Sequence, residues 1–380
     1  MRFLILIALP VIITIAVYSA AFAGPLEDGR AAHDRGDYQT TLKLLQPLAD
    51  QGNAEAQDKI GDVYENGKAV PQNYVEAVKW YRKAADQGNA DGQADLGSMY
   101  STGHGVPQDY AEAVQWFRKA ADQGHAGSQA LLGFMYEKGQ GVPKDDAEAA
   151  KWYRKAADQG IAGAQVMLGS MYEEDRIQHE SGGSSMTPEN TVRYLTDKDY
   201  ARSILQQEKE NQQADRAEAA KWYLKAAEKD NARAELSLGN MYANGQGVAQ
   251  DDTEAAKWYR KAAEQGDQNA QQILGWKYEQ GKGVTQDFVE AYAWDNAAGG
   301  ADASDRMVKY IPSSRLPEAR ALANKYSSLY NNKRREQEQA RLKADEGSRR
   351  EKTSIRENAQ SEVDRDVNEE AKSPGAASSP

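Results

Sequence analysis

The chain has 380 residues, 47 Lys+Arg against 58 Asp+Glu for a formal charge of −11, and no cysteine. Disulfides, thiolate metal sites and a cysteine nucleophile are excluded, so stability must come from packing. The acidic balance disfavours non-specific attraction to nucleic acid or an anionic membrane, and the length exceeds one ordinary core, which suggests several domains or a repeat array.

Arg2 is followed by an apolar stretch from Phe3 to Val17, and small residues end in Ala21-Phe22-Ala23 before Gly24. This predicts a secretory signal peptide over residues 1–23, cleaved so that the mature chain starts at Gly24 and works in the periplasm or outside the cell. An uncleaved anchor is the alternative, because Phe3 to Ala23 is just long enough to span a bilayer. No later segment is apolar enough to cross one. Residues 24–53 lack a tryptophan and are expected to form an N-terminal capping hairpin around GDYQTTLKLLQPLADQG.

From residue 54 to about 300 the chain repeats. Trp80, Trp116 and Trp152 are 36 residues apart, as are Trp222, Trp258 and Trp294, and only Trp276 lies outside the series. Gly61, Gly97, Gly133, Gly169, Gly239 and Gly275 keep the same phase, each three residues before a tyrosine. In the copy Ala90 to His125, Leu96, Met99 and Tyr100 at i, i+3 and i+4, with Gly97 beside them, predict a short helix packed closely on one face. Gly103-His104-Gly105-Val106-Pro107 stops it. Asp109 and Glu112 then form a D-x-x-E start signal, repeated as Asn73/Glu76, Asp145/Glu148, Asp215/Glu218, Asp251/Glu254 and Asp287/Glu290. Its first side chain can accept from an orphan amide while the glutamate reaches back to the cap's own amide. A second helix is therefore expected from each of these positions, with Ala113, Trp116, Phe117, Ala120 and Ala121 on one stripe and Gly124 past its end.

Each unit is a pair of helices of about 13 residues, roughly 20 Å long. Neither can bury its stripe alone, so stacking of hairpins must supply the core, with the phased Trp and Gly residues as its structural positions.

No reaction centre emerges from the same residues. His33, His104, His125 and His179 fall in different units without H-E-x-x-H spacing, and read as isolated surface or turn residues. The carboxylate pairs Asp145-Asp146 and Asp251-Asp252 begin with a helix cap and lack the D-x-D-x-D-G pattern of a calcium loop. In Trp-Tyr-Arg-Lys runs such as Trp152 to Lys155 the phase puts the aromatics in the core and the cations near the helix C-terminus, where they complement its dipole. Nothing points to a catalytic group, cofactor or metal. Partner contacts are expected instead on the variable faces of the first helices, at Gln93, Ser98, Gln129, Glu137, Glu235, Asn240 and Lys277.

The copies DLGSMYSTGHGVPQDYAEAVQWFRKAADQG, LLGFMYEKGQGVPKDDAEAAKWYRKAADQG and SLGNMYANGQGVAQDDTEAAKWYRKAAEQG closely resemble the Sel1-like repeat, a relative of the tetratricopeptide repeat. The resemblance covers about two thirds of the chain. It implies an all-α fold, an α/α solenoid of hairpins wound as a right-handed superhelix, serving as a scaffold for protein–protein interactions. A non-enzymatic exported adaptor, monomeric and binding a protein or peptide, is the first expectation. An envelope assembly component that organises polysaccharide secretion or cell-wall machinery is the alternative, and a hydrolase a distant third.

Trp152 to Trp222 is 70 residues rather than 36, so residues 175–214 hold an insertion. Ser181 to Ser185 is flexible in composition, Thr187-Pro188-Glu189 is a helix start, and Tyr200 to Gln213 favours helix. The segment reads either as a tolerated loop expansion or as a binding element. The last copy ends Trp294-Asp295-Asn296-Ala297-Ala298 instead of W-Y-R-K-A-A, and residues 301–330, with Leu316-Pro317 opening a helix, should close the array. The tail 331–380 is charged and too sparse in apolar residues to repay its ordering entropy.

Overall fold

Stretches of alternating amphipathic character and glycine turns fold here as consecutive paired helices. The computed structural model describes residues 24–177, 193–300, 306–328 and Arg335, and among them it has helices and turns but no strand. The expected signal segment 1–23, the Ser181 to Ser185 stretch, the Thr187 helix start and the tail 331–380 apart from Arg335 lie outside the described residues. The described residues fall into two compact units, divided between His125 and Ala126.

The first unit has three hairpins: α1 (Pro25–Asp34) with α2 (Tyr38–Asp50), α3 (Ala54–Asn66) with α4 (Tyr74–Asp86), and α5 (Ala90–Thr102) with α6 (Tyr110–Asp122). The leading pair supplies Leu45 and Ala49 to a core with Ala56, Ile60 and Trp80. Gly29 lets α1 close onto α2, since a Cβ there would collide with the Leu45 side chain.

The second unit continues with α7 (Ala126–Lys138), α8 (Asp146–Asp158), α9 (Ala162–Glu173), α10 (Lys198–Ala227), α11 (Ala232–Asn244), α12 (Asp252–Glu264), α13 (Gln268–Gln280) and α14 (Phe288–Ala297). A short turn at Ser313–Arg315 leads into helical residues 316–328. This last helix closes the array by laying Ala319, Ala323 and Tyr326 over the α14 face that a further hairpin would otherwise cover. The Tyr326 ring stacks on Trp294 at 3.7 Å between centroids.

The phased tryptophans lie between helices. Trp80, Trp116, Trp152, Trp222 and Trp294 are buried and Trp258 half-buried, while Trp276, outside the phase, is exposed. All six phased indole N–H groups are buried without a hydrogen-bond partner. In five copies a lysine three residues on covers the ring, from Lys83 over Trp80 at 3.6 Å to Lys261 over Trp258 at 4.5 Å, so its stem shields apolar surface and its charge meets the π face. In the sixth, Ala297 stands at that position and Tyr326 takes the place of the lysine.

The phased glycines admit an aromatic ring. A Cβ on Gly61, Gly97, Gly133, Gly169 or Gly239 would come within 2.5 to 2.9 Å of Tyr81, Phe117, Tyr153, Tyr223 or Tyr259 respectively. Gly275 faces α14 backbone instead, because Asp295 replaces the aromatic there. In the turns, Gly105 (φ 69°) abuts the backbone of Tyr74 in the preceding hairpin, a position closed to any side chain.

The helix starts depart from expectation in two ways. Asn73, Asp109, Asp145, Asp251 and Asp287 do cap, their side chains accepting from amides of the first turn. The returning glutamate does not complete a capping box. Each cap amide donates instead to the carbonyl of the repeat tyrosine, Tyr64, Tyr100, Tyr136, Tyr242 or Tyr278, at 2.9 to 3.2 Å. The glutamate is left to pair along its own helix, as in Glu76–Lys79 at 2.9 Å and Glu254–Lys257 at 2.7 Å. The second departure is at Asp215, which caps nothing. It is buried inside α10, a continuous helix of 30 residues capped by Asp197. Here the insertion removes the glycine turn that holds the other caps extended, and residues 198–214 simply prolong the packed helix, which needs no new nucleus. This extension is mostly exposed and includes Leu205.

Candidate protein-binding face

Each first helix spends most of its surface on packing. Positions such as Leu132, Gly133 and Met135 of α7 are buried, and so is a polar residue one turn earlier that ties successive hairpins together. Gln57, Gln93, Gln165 and Gln271 donate to the carbonyls of Ala49, Ala85, Ala157 and Ala263 at 3.0 to 3.2 Å. Behind them, Gln87, Gln123, Gln159 and Gln265 donate to the side-chain oxygens of Gln57, Gln93, Gln129 and Glu235 at 2.6 to 2.8 Å. These buried amides leave the side chains no freedom to meet a partner.

Five of the seven expected contact residues must therefore be reassigned. Gln93, Gln129 and Glu235 are buried in this polar stitch. Glu137 is also buried, accepting from the Tyr153 hydroxyl at 2.8 Å and from Arg176 at 3.2 Å. Lys277, only 2% exposed, is ion-paired to Asp252 at 2.8 Å. Ser98 and Asn240 are half-buried, Ser98 donating to the Ala94 carbonyl at 3.1 Å and Asn240 accepting from the Tyr259 hydroxyl at 2.8 Å. The first five do not form an exposed face.

Two other positions of each first helix remain nearer to solvent. In the second unit they hold Leu131 and Phe134 on α7, Met167 on α9, where Ser170 at the second position is buried, Ser237 and Asn240 on α11, and Ile273 and Trp276 on α13. Leu131, Phe134 and Trp276 are 40%, 42% and 47% exposed. Lysines stand beside the two aromatics, Lys138 at 5.8 Å from the Phe134 ring and Lys282 at 5.7 Å from the Trp276 ring. Large apolar side chains left open and rimmed by cations suit the capture of a partner's apolar residues, with acidic ones at the edge. The same positions in the first unit are Lys59 and Asp62 on α3 and Asp95 and Ser98 on α5.

Neither the histidines nor the acidic pairs assemble into a reaction centre. His33 contacts Asp62 at 3.0 Å, His104 stacks on Tyr74 and His125 lies 3.7 Å from Asp91, while His179 lies outside the described residues. Among the described residues no group of three or more His, Cys, Asp or Glu side chains is arranged to hold a metal ion. No helix among them is long and apolar enough to cross a membrane.

With stacked hairpins, ring-accepting glycines and an open first-helix face in place, the comparisons define the class. The Sel1 repeat matches residues 54–89, 90–125, 126–161, 209–231, 232–267 and 268–294. The chain belongs to the Sel1 repeat family, whose members generally mediate protein–protein interactions and are typically non-catalytic. A crystal structure of a Sel1 repeat protein from Oxalobacter formigenes is 32% identical, covering 73% of this chain and 99% of that one with a TM-score of 0.56. The protective antigen c5321 of uropathogenic Escherichia coli is 28% identical over 82% of this chain and 79% of its own, with a TM-score of 0.32. Cysteine-rich protein B of Helicobacter pylori is 20% identical over 38% of this chain and 98% of its own, with a TM-score of 0.29. No curated protein matches the chain.

Proposed function

We propose that the chain is a non-enzymatic adaptor, exported through residues 1–23, that binds a protein or peptide on the first-helix face of its second unit. Leu131, Phe134 and Trp276 are its anchors. The observation that carries this reading is their placement: large apolar side chains stand exposed at positions that differ from copy to copy, on helices whose glycine and Leu/Ile packing positions recur in every copy. Aromatic anchors at the centre of an interface typically contribute more than 1 kcal/mol each. The apolar run of Phe3 to Val17 and the small residues before Gly24 support export.

The test is a combined Leu131→Ser, Phe134→Ser and Trp276→Ser variant of the full chain, with Lys151→Ala on the exposed side of α8 as control. Partner recovery should fall at least tenfold with the triple variant, at unchanged helicity and melting temperature, and should persist with Lys151→Ala. Equal loss from both, or no loss from the triple variant, contradicts the assignment.

A further inference from the structure

Asp58 breaks the rule of its own repeat. The other copies place Ala94, Ala130, Val166, Leu236 and Gln272 at this position, none of them ionisable. Asp58 is nevertheless 1% exposed, and its Oδ1 receives no hydrogen bond from a nitrogen or hydroxyl donor. Its one cation is Lys59, 2.9 Å from Oδ2, and that lysine is shared with Asp62 at 3.7 Å. Across the junction with α5, Asp95 is a neighbouring carboxyl group, and burial and the nearby Asp58 raise it above the ordinary carboxylate range. Two carboxylates held close together away from water repel, which favours a proton on one of them.

A second count gives the same answer. The Tyr81 hydroxyl, from α4, lies 2.8 Å from Asp62 and 2.6 Å from Glu65. One phenol proton divided between two carboxylates bonds each of them weakly, so a proton on one of the carboxyl groups is favoured. His33 of α1 meets Asp62 at 3.0 Å. The groups facing this cluster are thus His33 from α1, Lys59, Asp62 and Glu65 from α3, Tyr81 from α4, Asp91 and Asp95 from α5, and His104 from the turn after α5. Five carboxyl groups besides the phenol, Asp58, Asp62, Glu65, Asp91 and Asp95, face one lysine, Lys59, and two histidines, His33 and His104. Burial raises Asp58, Asp95 and Glu65 above the ordinary carboxylate range, and neighbouring carboxylates add to this.

We propose that the junction of the first two repeats is a proton-held clasp, in which Asp58, Asp95 and Glu65 keep protons while α1, α3, α4 and α5 are packed together. Groups that hold protons in the packed state beyond the pH at which the open state loses them make packing weaker as pH rises. The clasp is tightest under mildly acidic conditions and loosens toward alkaline ones. Asp62, which burial would raise but which His33, Lys59 and Tyr81 hold low, acts the other way, below the same window.

Hydrogen exchange of the full chain at pH 5.5 and 8, corrected for intrinsic rates and referenced to α12, tests this. Peptides from α3 and α5 should open about tenfold more often at pH 8, the effect of one group displaced by one pH unit. Asp58→Ala, which installs the residue of the second and third copies, should reduce that difference, and His33→Gln should leave it. A carboxyl-carbon NMR titration of Asp58 in the wild-type chain, independent of any variant's folding, should show a midpoint above 5. A midpoint near 4, no pH effect on α3 and α5, or an effect lost with His33→Gln and kept with Asp58→Ala overturns the proposal.

Discussion

Gly133→Ala and Gly163→Ala are chemically the same change in neighbouring first helices of the second unit, and they should move stability in opposite directions. In helix, alanine is favoured over glycine by about 1 kcal/mol, and that gain is open to both. At Gly163 an added Cβ meets nothing within 4 Å, so the variant should be more stable by about 0.5–1 kcal/mol. At Gly133 the Cβ would lie 2.6 Å from Cδ1 and 2.8 Å from Cε1 and Cγ of Tyr153, against about 3.5–4.0 Å for relaxed carbon contacts. The ring has nowhere to withdraw: Tyr153 is 2% exposed and its hydroxyl is tied to Glu137 at 2.8 Å. Overpacking of this kind costs about 1–3 kcal/mol, which offsets the helix term and leaves Gly133→Ala destabilised by up to about 2 kcal/mol. Urea unfolding followed by far-UV circular dichroism should separate the two variants by about 1–3 kcal/mol at equal m-value. Combining Gly133→Ala with Tyr153→Ala should recover part of the loss, as expected for a contact pair. If Gly133→Ala stabilised the chain as Gly163→Ala does, the ring-accepting role of the phased glycines would be refuted.

Trp222→Ala should cost about 3–5 kcal/mol and lower the melting temperature by roughly 6–20 °C, whereas Trp276→Ala should stay within about 1 kcal/mol of the parent; calorimetry of both variants checks the contrast. Acrylamide quenching should show one readily accessible tryptophan component, abolished by Trp276→Phe, and equal quenching before and after that change would contradict the burial of the phased series. Asp252→Ala should destabilise by about 3–5 kcal/mol because Lys277 keeps a buried charge with its short partner gone. The Lys277 contact, opposed by slight burial, holds the Asp252 carboxyl below its ordinary range. Its contribution is therefore complete above about pH 4 and lost as pH falls through the depressed value, so the wild-type and Asp252→Ala stability curves should converge on acidification.

The period of the tryptophans made the hairpin array legible, because each copy solves the same local problem with the same residues. Caps and turns were legible too, since a cap's first-turn bonds depend only on its own helix. The missing half of the capping box was not, because the cap amide is taken by a tyrosine carbonyl of the preceding helix. Asp215 has the sequence of a cap but lacks the glycine turn before it. Ser98 and Asn240 lie in the open register, but Gln93, Gln129 and Glu235 are buried for a reason visible in the sequence itself. Gln93 lies on the same helical stripe as Leu96, Gly97 and Tyr100, and Gln129 and Glu235 repeat that register with Leu132 and Leu238. Glutamine at this position in five of six copies marked it as required by the stack. The signal for an open face lay one register over, where Asp62, Ser98, Phe134, Asn240 and Trp276 differ from copy to copy.

Site-specific photo-crosslinking in the cells that make the protein tests most directly whether this open register is where the protein binds. A photoreactive residue replacing Phe134 should yield a discrete adduct with another protein, while the same residue at Lys151, also exposed to solvent on α8, should yield none. Adducts from position 151 alone, or equally from both, would contradict a first-helix binding face.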